Sequence, residues 1–291
     1  MRTETDDTVD QAPSFFWPQA MERGRVGDAA FARAYARVPD LDRARIKTGI
    51  AAVFAACGGP MPRLRRSEAV LGHDLVLTRS DAPLDFAVIV CGPRFASPSR
   101  LVAAVLPALC AGVPEVAAVR VGGAWPQELL VALELCGVET ACRLGPRALA
   151  GVWPQLVAKG SGALVLLDGA PRPALAACPG IVLHEAATRG RALVADGLKE
   201  RLDREALAFA QPDLELVDAA SLAGDAPGAL AKDAISEYDA VYVGDGADPA
   251  FAEAASLRLG PGRETFWLWP QLPPGAFRRV RIAAARQGDV A

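Results

Sequence analysis

The chain has 291 residues, 52% of them hydrophobic and 22% charged, with a formal net charge of −3. That is enough apolar material for one large globular domain or two ordinary ones. A weakly acidic balance, with no block rich in lysine and arginine, argues against nucleic acid and anionic membrane as partners.

Residues 1–25 read as a polar, acidic tail whose only anchors are Phe15, Phe16 and Trp17. Such a triplet packs on a neighbouring surface or, alternatively, hooks a partner. The tail lacks the basic and apolar regions of a secretory signal. No uninterrupted apolar run reaches the roughly 18 residues of a membrane span. The expected location is the cytoplasm. Two helices follow, over Asp28–Val38 and Asp40–Cys57. In the second, Ile46, Ile50, Val53 and Phe54 recur at helical spacing. Asp40 or Asp42 can cap its start, and Gly58-Gly59-Pro60 ends it. Pro62–Glu68 reads as a charged linker. Ala69–Thr78 contains His73 and an extended Leu75-Val76-Leu77, and Ser80–Pro83 reads as a turn.

Asp85–Pro171 is the most regular stretch. Apolar runs over Phe86–Cys91, Val116–Val121, Thr140–Leu144 and Ala163–Leu167 alternate with helices opening at Ser97-Pro98, Pro126 and Pro146. Gly112 and Gly137 close the first two helices, the usual placement of proline at starts and glycine at ends. The alternation predicts crossover units and a parallel, Rossmann-like α/β sheet covered on both faces. Such sheets bind ligands at the carboxyl ends of their strands. Here those ends are Cys91-Gly92-Pro93, Val121-Gly122-Gly123, Leu144-Gly145-Pro146 and Asp168-Gly169-Ala170.

Beyond Pro171 the text is less regular. Ile181–His184 reads as a strand, Arg191–Gln211 as a long charged helix and Leu214–Val217 as a strand. Ser221–Pro227 reads as a loop and Ala231–Tyr238 as a short helix. Ala240–Val243 is a strand ending in Gly244-Asp245-Gly246. Pro249–Leu259 reads as a helix, Thr265–Trp269 as a strand, and Arg278–Arg286 as a final strand or tail. The change near Cys178 divides the chain into a tail (1–25), a nucleotide-binding-like α/β domain (26–178) and a smaller second α/β lobe (179–291). It could equally join two halves of one large sheet.

Several residue groups could carry chemistry. Glycine turns at strand ends free backbone amides for a phosphate, but βα turns need glycine in any case. No GxGxxG or GxxxxGKS/T occurs. The two histidines, His73 and His184, are too few for a typical zinc site, so no metal ligand is expected. His184-Glu185 at a strand end could form an acid/base pair, or simply face solvent. The six cysteines contain no CxxC and read as reduced thiols. Cys91 and Cys178 are the candidates for a nucleophile, against the plainer role of small apolar residues. Asp168 and Asp245 could bind a ribose hydroxyl or a cation, or only form turns.

Three segments resemble histidinol dehydrogenase, of the aldehyde-dehydrogenase-like superfamily. They are CGPRFASPSRLVAAVLPALCAGVPEV, LLVALELCGVETACRLG and PRALAGVWPQLVAKGSGALVLLDG, together spanning roughly Asp85–Gly169. The resemblance implies NAD-dependent oxidation of an amino alcohol with zinc positioning the substrate. It also implies that Gly92-Pro93 and Gly145-Pro146 face the dinucleotide. The chain departs from the family at Gly145-Pro146-Arg147-Ala148, where the family has Gly-Gly-Ala-Gln, and at Asp168-Gly169-Ala170-Pro171, where it has Gly-Pro-Gly-Asn. The family's zinc phrase and Glu-His pair have no counterpart; His184-Glu185 runs in the reverse order. The expectation is therefore a divergent, zinc-free protein of this fold. Gly92, Pro93, Gly122, Gly123, Gly145, Pro146, Asp168 and Gly169 would hold NAD or NADP, and His184 or Glu185 would accept the proton. The alternatives are a non-catalytic protein binding a small molecule or a partner, and a cysteine-dependent enzyme. The superfamily's habit suggests a homodimer.

Overall fold

The computed structural model describes residues 15–71, 75–173, 180–195, 197–221, 238–244 and 256–286. His73, Cys178, Asp245 and Gly246 lie outside them, as do most of the stretches expected as a loop and helix over Ser221–Tyr238 and as a helix over Pro249–Leu259.

Three helices come first: α1 (Gln19–Arg23), α2 (Asp28–Arg37) and α3 (Asp40–Ala56). A hairpin of β1 (Arg65–Leu71) and β2 (Leu75–Pro83) follows. The regular stretch then gives β3 (Phe86–Cys91), α4 (Pro98–Cys110), β4 (Glu115–Val121), α5 (Gln127–Cys136), β5 (Thr140–Leu144), α6 (Pro146–Val157), β6 (Gly162–Leu167) and β7 (Ile181–Ala186). These strands form one parallel sheet in the order β5-β4-β3-β6-β7. Every residue of β3 and β6 is buried, which is why both read as unbroken apolar runs.

The sheet divides its side chains between two cores. Ala87, Ile89 and Cys91 face the larger one, with α4 and α5; Phe86, Val88 and Val90 face the smaller one, with Leu149, Val152 and Trp153 of α6. Gly162 lies under the Phe86 ring, where a Cβ would come within 2.2 Å of the ring carbons. Helix α4 is buried all round except at Leu109, because the sheet covers one side and α3, α5 and the C-terminal segment cover the other. That explains its length of apolar sequence without any membrane role. Among the described residues no helix is long and apolar enough to cross a membrane.

From Phe15 onward the stretch expected as a tail is docked. Phe15 and Trp17 pack on Phe86 with ring centroids 5.8 and 6.4 Å away, while Phe16 is 68% exposed. After α1 the chain lies antiparallel along the free edge of β5. Val26 N donates to Ala141 O at 2.8 Å, and Arg143 N donates to Gly24 O at 2.8 Å. This backbone segment covers a sheet edge that would otherwise be open.

The remaining elements are β8 (Arg191–Val194), α7 (Arg204–Ala210), β9 (Glu215–Asp218), β10 (Ala240–Tyr242), β11 (Arg258–Leu259) and β12 (Arg278–Arg286). A second parallel sheet runs β11-β10-β8-β9. The charged helix expected over Arg191–Gln211 is mostly something else. Ala192-Leu193-Val194 is buried as β8 between β9 and β10, Gly197 turns at φ +71°, and only Arg204–Ala210 is helical. Asp203 caps it, accepting from Ala206 N at 2.9 Å. Thr265–Trp269 is not a strand: Trp267 and Trp269 are buried edge to face in the larger core, 5.7 Å apart. β7 pairs with β6 in the first sheet. Residues of both lobes share the larger core, including Ile89, Val194 and Trp267.

Finally, β12 returns to pair with β2, completing an antiparallel sheet β1-β2-β12. The expected charged linker and turn are thus strands. Their alternation was hidden because all of β1 is exposed. Arg278 fastens this sheet to the body. Its guanidinium donates to Asp81 Oδ1 and Ala111 O, both at 2.6 Å, and to Pro62 O at 2.9 Å.

Candidate functional site

In the order β5-β4-β3-β6-β7 the chain leaves β3 in one direction and resumes at β6 on its other side. The switch point therefore lies between the carboxyl ends of β3 and β6, where open α/β sheets take ligands. Gly92 follows β3 and Asp168-Gly169 follows β6. The two turns touch: a Cβ on Gly92 would sit 2.0 Å from Asp168 O. Asp168 itself adopts φ +23°, rare for a residue with a side chain.

The space in front of these turns is filled by Arg100, from the first turn of α4, which is fully buried. Its guanidinium reaches Asp168 Oδ2 at 2.8 Å, Thr188 Oγ1 at 2.5 Å and Gln211 Oε1 at 2.9 Å, and also pairs with Asp213. Asp168 Oδ1 accepts from Thr188 N at 2.7 Å and Thr188 Oγ1 at 2.9 Å. Ser97, the N-cap of α4, donates to Ala210 O at 2.7 Å and accepts from Arg100 N at 3.1 Å. The rings of Phe95 and Trp267 lie 5.8 and 6.0 Å from the guanidinium carbon. Burial lowers the Arg100 pKa, and the carboxylate of Asp168 works against that shift. The result is a polar knot joining the first sheet to the turn after α7, in which the buried Gln211 Nε2 has no partner among the described residues.

The glycine turns differ in what surrounds them. Gly122 (φ +68°) and Gly123 (φ +63°) follow β4, and Gly145 precedes α6; a Cβ on any of the three would meet open space. Gly169 (φ +71°) is likewise open. Gly92 is filled by the protein's own backbone. Pro93 is exposed, and its carbonyl accepts from Arg120 Nη2 at 2.7 Å. Pro146 opens α6 and is exposed. The space at these turns is open, but the Gly122 amide is already used, donating to Leu144 O at 3.0 Å. The crevice between β3 and β6 holds Arg100.

His184 and Glu185 are neighbours in β7 and so point to opposite faces. Glu185 pairs with Arg172, with Arg172 Nη2 to Oε2 at 2.6 Å. That contact holds its carboxyl below the usual range. His184 packs on Phe277, 5.9 Å between rings, and its buried Nε2 has no partner among the described residues. Burial lowers its pKa. The structure does not bring the two together as a pair. Cys91 is fully buried, and burial pushes its thiol up to about 12, the opposite of an activated nucleophile. Among the described residues no group of three or more histidines, cysteines and carboxylates is placed to hold a metal ion.

Sequence reasoning missed Arg100, Thr188, Gln211 and Asp213. The signal for the first was present: Arg100 is a lone charge in an otherwise apolar helix. A charge that cannot reach solvent must find a partner.

The parallel sheets and the smaller lobe form an α/β fold that resembles the fold of histidinol dehydrogenase. Histidinol dehydrogenase from Elizabethkingia anophelis is similar over 90% of this chain and 76% of that one, with a TM-score of 0.56 and 10% identity. An aldehyde dehydrogenase from Brucella melitensis biovar abortus 2308 aligns over 92% and 89%, with a TM-score of 0.44 and 8% identity. An NAD-dependent benzaldehyde dehydrogenase from Corynebacterium glutamicum aligns over 92% and 86%, with a TM-score of 0.44 and 10% identity. No family model and no curated protein sequence matches the chain. At 10% identity the likeness is one of fold.

Proposed function

We propose that the chain is a small-molecule-binding protein on a dehydrogenase fold, without hydride-transfer activity. One observation carries this reading. Arg100, fully buried, occupies the switch-point crevice and is bonded to both lobes. A reacting carbonyl and a nicotinamide ring would need that space. Ligand binding is left to the open turns at Gly122-Gly123, Gly145-Pro146 and Gly169.

A second reading is favoured by those same turns. They leave room for the phosphates of NAD or NADP, and the chain would then be a zinc-independent oxidoreductase with His184 or Glu185 as proton acceptor. Both readings are tested by thermal unfolding with NAD, NADP, adenine nucleotides and zinc, followed by turnover assays with amino alcohols and aldehydes. A ligand at 100 times its Kd stabilises the native state by about 2.7 kcal/mol. Binding without turnover supports the first reading. Turnover that His184→Ala abolishes while binding persists supports the second. No shift with any nucleotide removes both.

We also propose that a second copy of the chain docks on the β1-β2-β12 sheet. Val70 and Ile282 are 58% and 63% exposed there, on strands with a free edge.

A further inference from the structure

Beside the covered edge of β5, and away from the Arg100 knot, lies a groove of about 610 Å³. Four arginines line it: Arg23, Arg25, Arg33 and Arg143. They come from three separate places in the fold. Arg23 ends α1, and Arg25 sits on the backbone bridge to Cys142; Arg33 stands on α2; Arg143 is in β5. The backbone holds them in place. Gly24, between the first two, has no room for a Cβ, which would lie 2.6 Å from Arg143 O. The close approach of the two chains therefore sets the spacing of the arginines.

Their charge is poorly answered within the protein. No carboxylate lines the groove. Arg25 meets Glu22 at 3.8 Å, a half-exposed pair one helical turn away, and Arg23 reaches Gln19 at 3.4 Å. The side chains of Arg33 and Arg143 have no hydrogen-bond or ion-pair partner among the described residues. Elsewhere, Arg45, Arg100, Arg172 and Arg278 each pair with a carboxylate. Trp125 forms part of the wall, and its indole is fixed by donating to Cys142 O at 3.1 Å. Guanidinium forks match phosphate oxygens in geometry as well as charge. The volume is that of a small-molecule site.

We propose that this groove binds a small organic polyphosphate, its phosphates on Arg33 and Arg143 and its remainder against Trp125. The site is independent of the reading of the switch-point crevice. Its small volume and the overall charge of −3 favour a compact anion over a nucleic-acid chain.

The test is isothermal titration of the full chain with ATP, with inorganic tripolyphosphate and with a sugar bisphosphate, at low salt and at 150 mM. Both variants, Arg33→Ala and Arg143→Ala, change exposed side chains, and circular dichroism checks their fold. ATP is expected to bind, tripolyphosphate to compete with it, and each variant to weaken ATP about tenfold. Tighter binding of ATP than of tripolyphosphate, lost in Trp125→Leu, identifies a ligand with a planar base. Equal binding of all three identifies phosphate charge alone as the determinant and overturns the part assigned to Trp125. Absence of binding at 1 mM, or binding untouched by either variant, overturns the proposal. So does arginine-dependent capture of poly(U) that tripolyphosphate cannot displace.

Discussion

Gly92 and Asp168 meet backbone to backbone at the carboxyl ends of adjacent strands, so closely that a single methyl group on Gly92 would stand 2.0 Å from the Asp168 carbonyl oxygen. The obstacle is backbone and cannot rotate away. Gly92→Ala should therefore destabilise the protein by at least the upper part of the about 1–3 kcal/mol typical of overpacking. Gly145→Ala, at an open position with ordinary φ, should change stability by no more than about 0.5 kcal/mol. Urea midpoints of the two variants give the comparison. Equal midpoints would mean that the two turns do not touch.

The Arg100–Asp168 pair makes a sharper demand. Arg100 is fully buried and the Asp168 side chain is 15% exposed. Removing one partner of a buried pair costs about 3–5 kcal/mol, whereas replacing both by uncharged groups is often close to neutral. Asp168→Asn should be strongly destabilising, and Arg100→Met with Asp168→Asn should recover part of the loss. Asp213 is more exposed, at 38%, so Asp213→Asn should cost less. A double-mutant cycle read by denaturant unfolding measures the coupling. Simple additivity would show that the two side chains do not interact.

His184 gives a pH dependence whose sign is fixed. Burial lowers its pKa in the folded chain below the unfolded value of about 6.5. Between those two values the unfolded chain binds more protons, so stability falls as pH drops from 7 through the unfolded pKa, until the folded pKa is reached. Above pH 7 this contribution is complete. His184→Leu should flatten that part of the profile. A wild-type stability that rises on acidification from pH 7 to 5.5, with the rise removed in His184→Leu, would contradict the placement against Phe277.

The exposed apolar residues of the antiparallel sheet can be tested by charge. Ile282→Glu and Val70→Glu should shift a dimer to monomer in light scattering, with unchanged circular dichroism. Both positions are well exposed, so folding should tolerate the change. A wild-type protein that is monomeric at 100 µM would rule out this surface as a self-association site.

How much was legible beforehand follows from what each residue faces. β3 and β6, buried on both sides, announce themselves as apolar runs, and α4 is marked by Ser97-Pro98 at one end and Gly112 at the other. β1 carries Arg65, Arg66 and Glu68 and buries nothing, so no periodicity exists to be read. The Arg191–Gln211 stretch misled because its charged residues follow a buried four-residue strand within a few positions. The glycine turns were placed at the correct strand ends, but sequence cannot tell Gly92, which is pressed against backbone, from Gly122, which is open. The polar knot depends on residues as distant in sequence as Arg100 and Asp213, and only the folded topology brings them together.

The sheet that closes the molecule also dictates an order of assembly. Asp81 and Arg278 are 197 residues apart in sequence, yet Arg278 is the bolt that holds β2 and β12 to the end of α4. During synthesis the β1–β2 hairpin emerges before β12 and must wait, with one edge bare, until Arg278–Arg286 has left the ribosome. Non-local pairing of this kind is slow and leaves an intermediate open to strand exchange. A chain cut short before Arg278 would keep both parallel sheets and still present that edge to its neighbours. Its failure would be seen as aggregation in the cell before any loss of secondary structure.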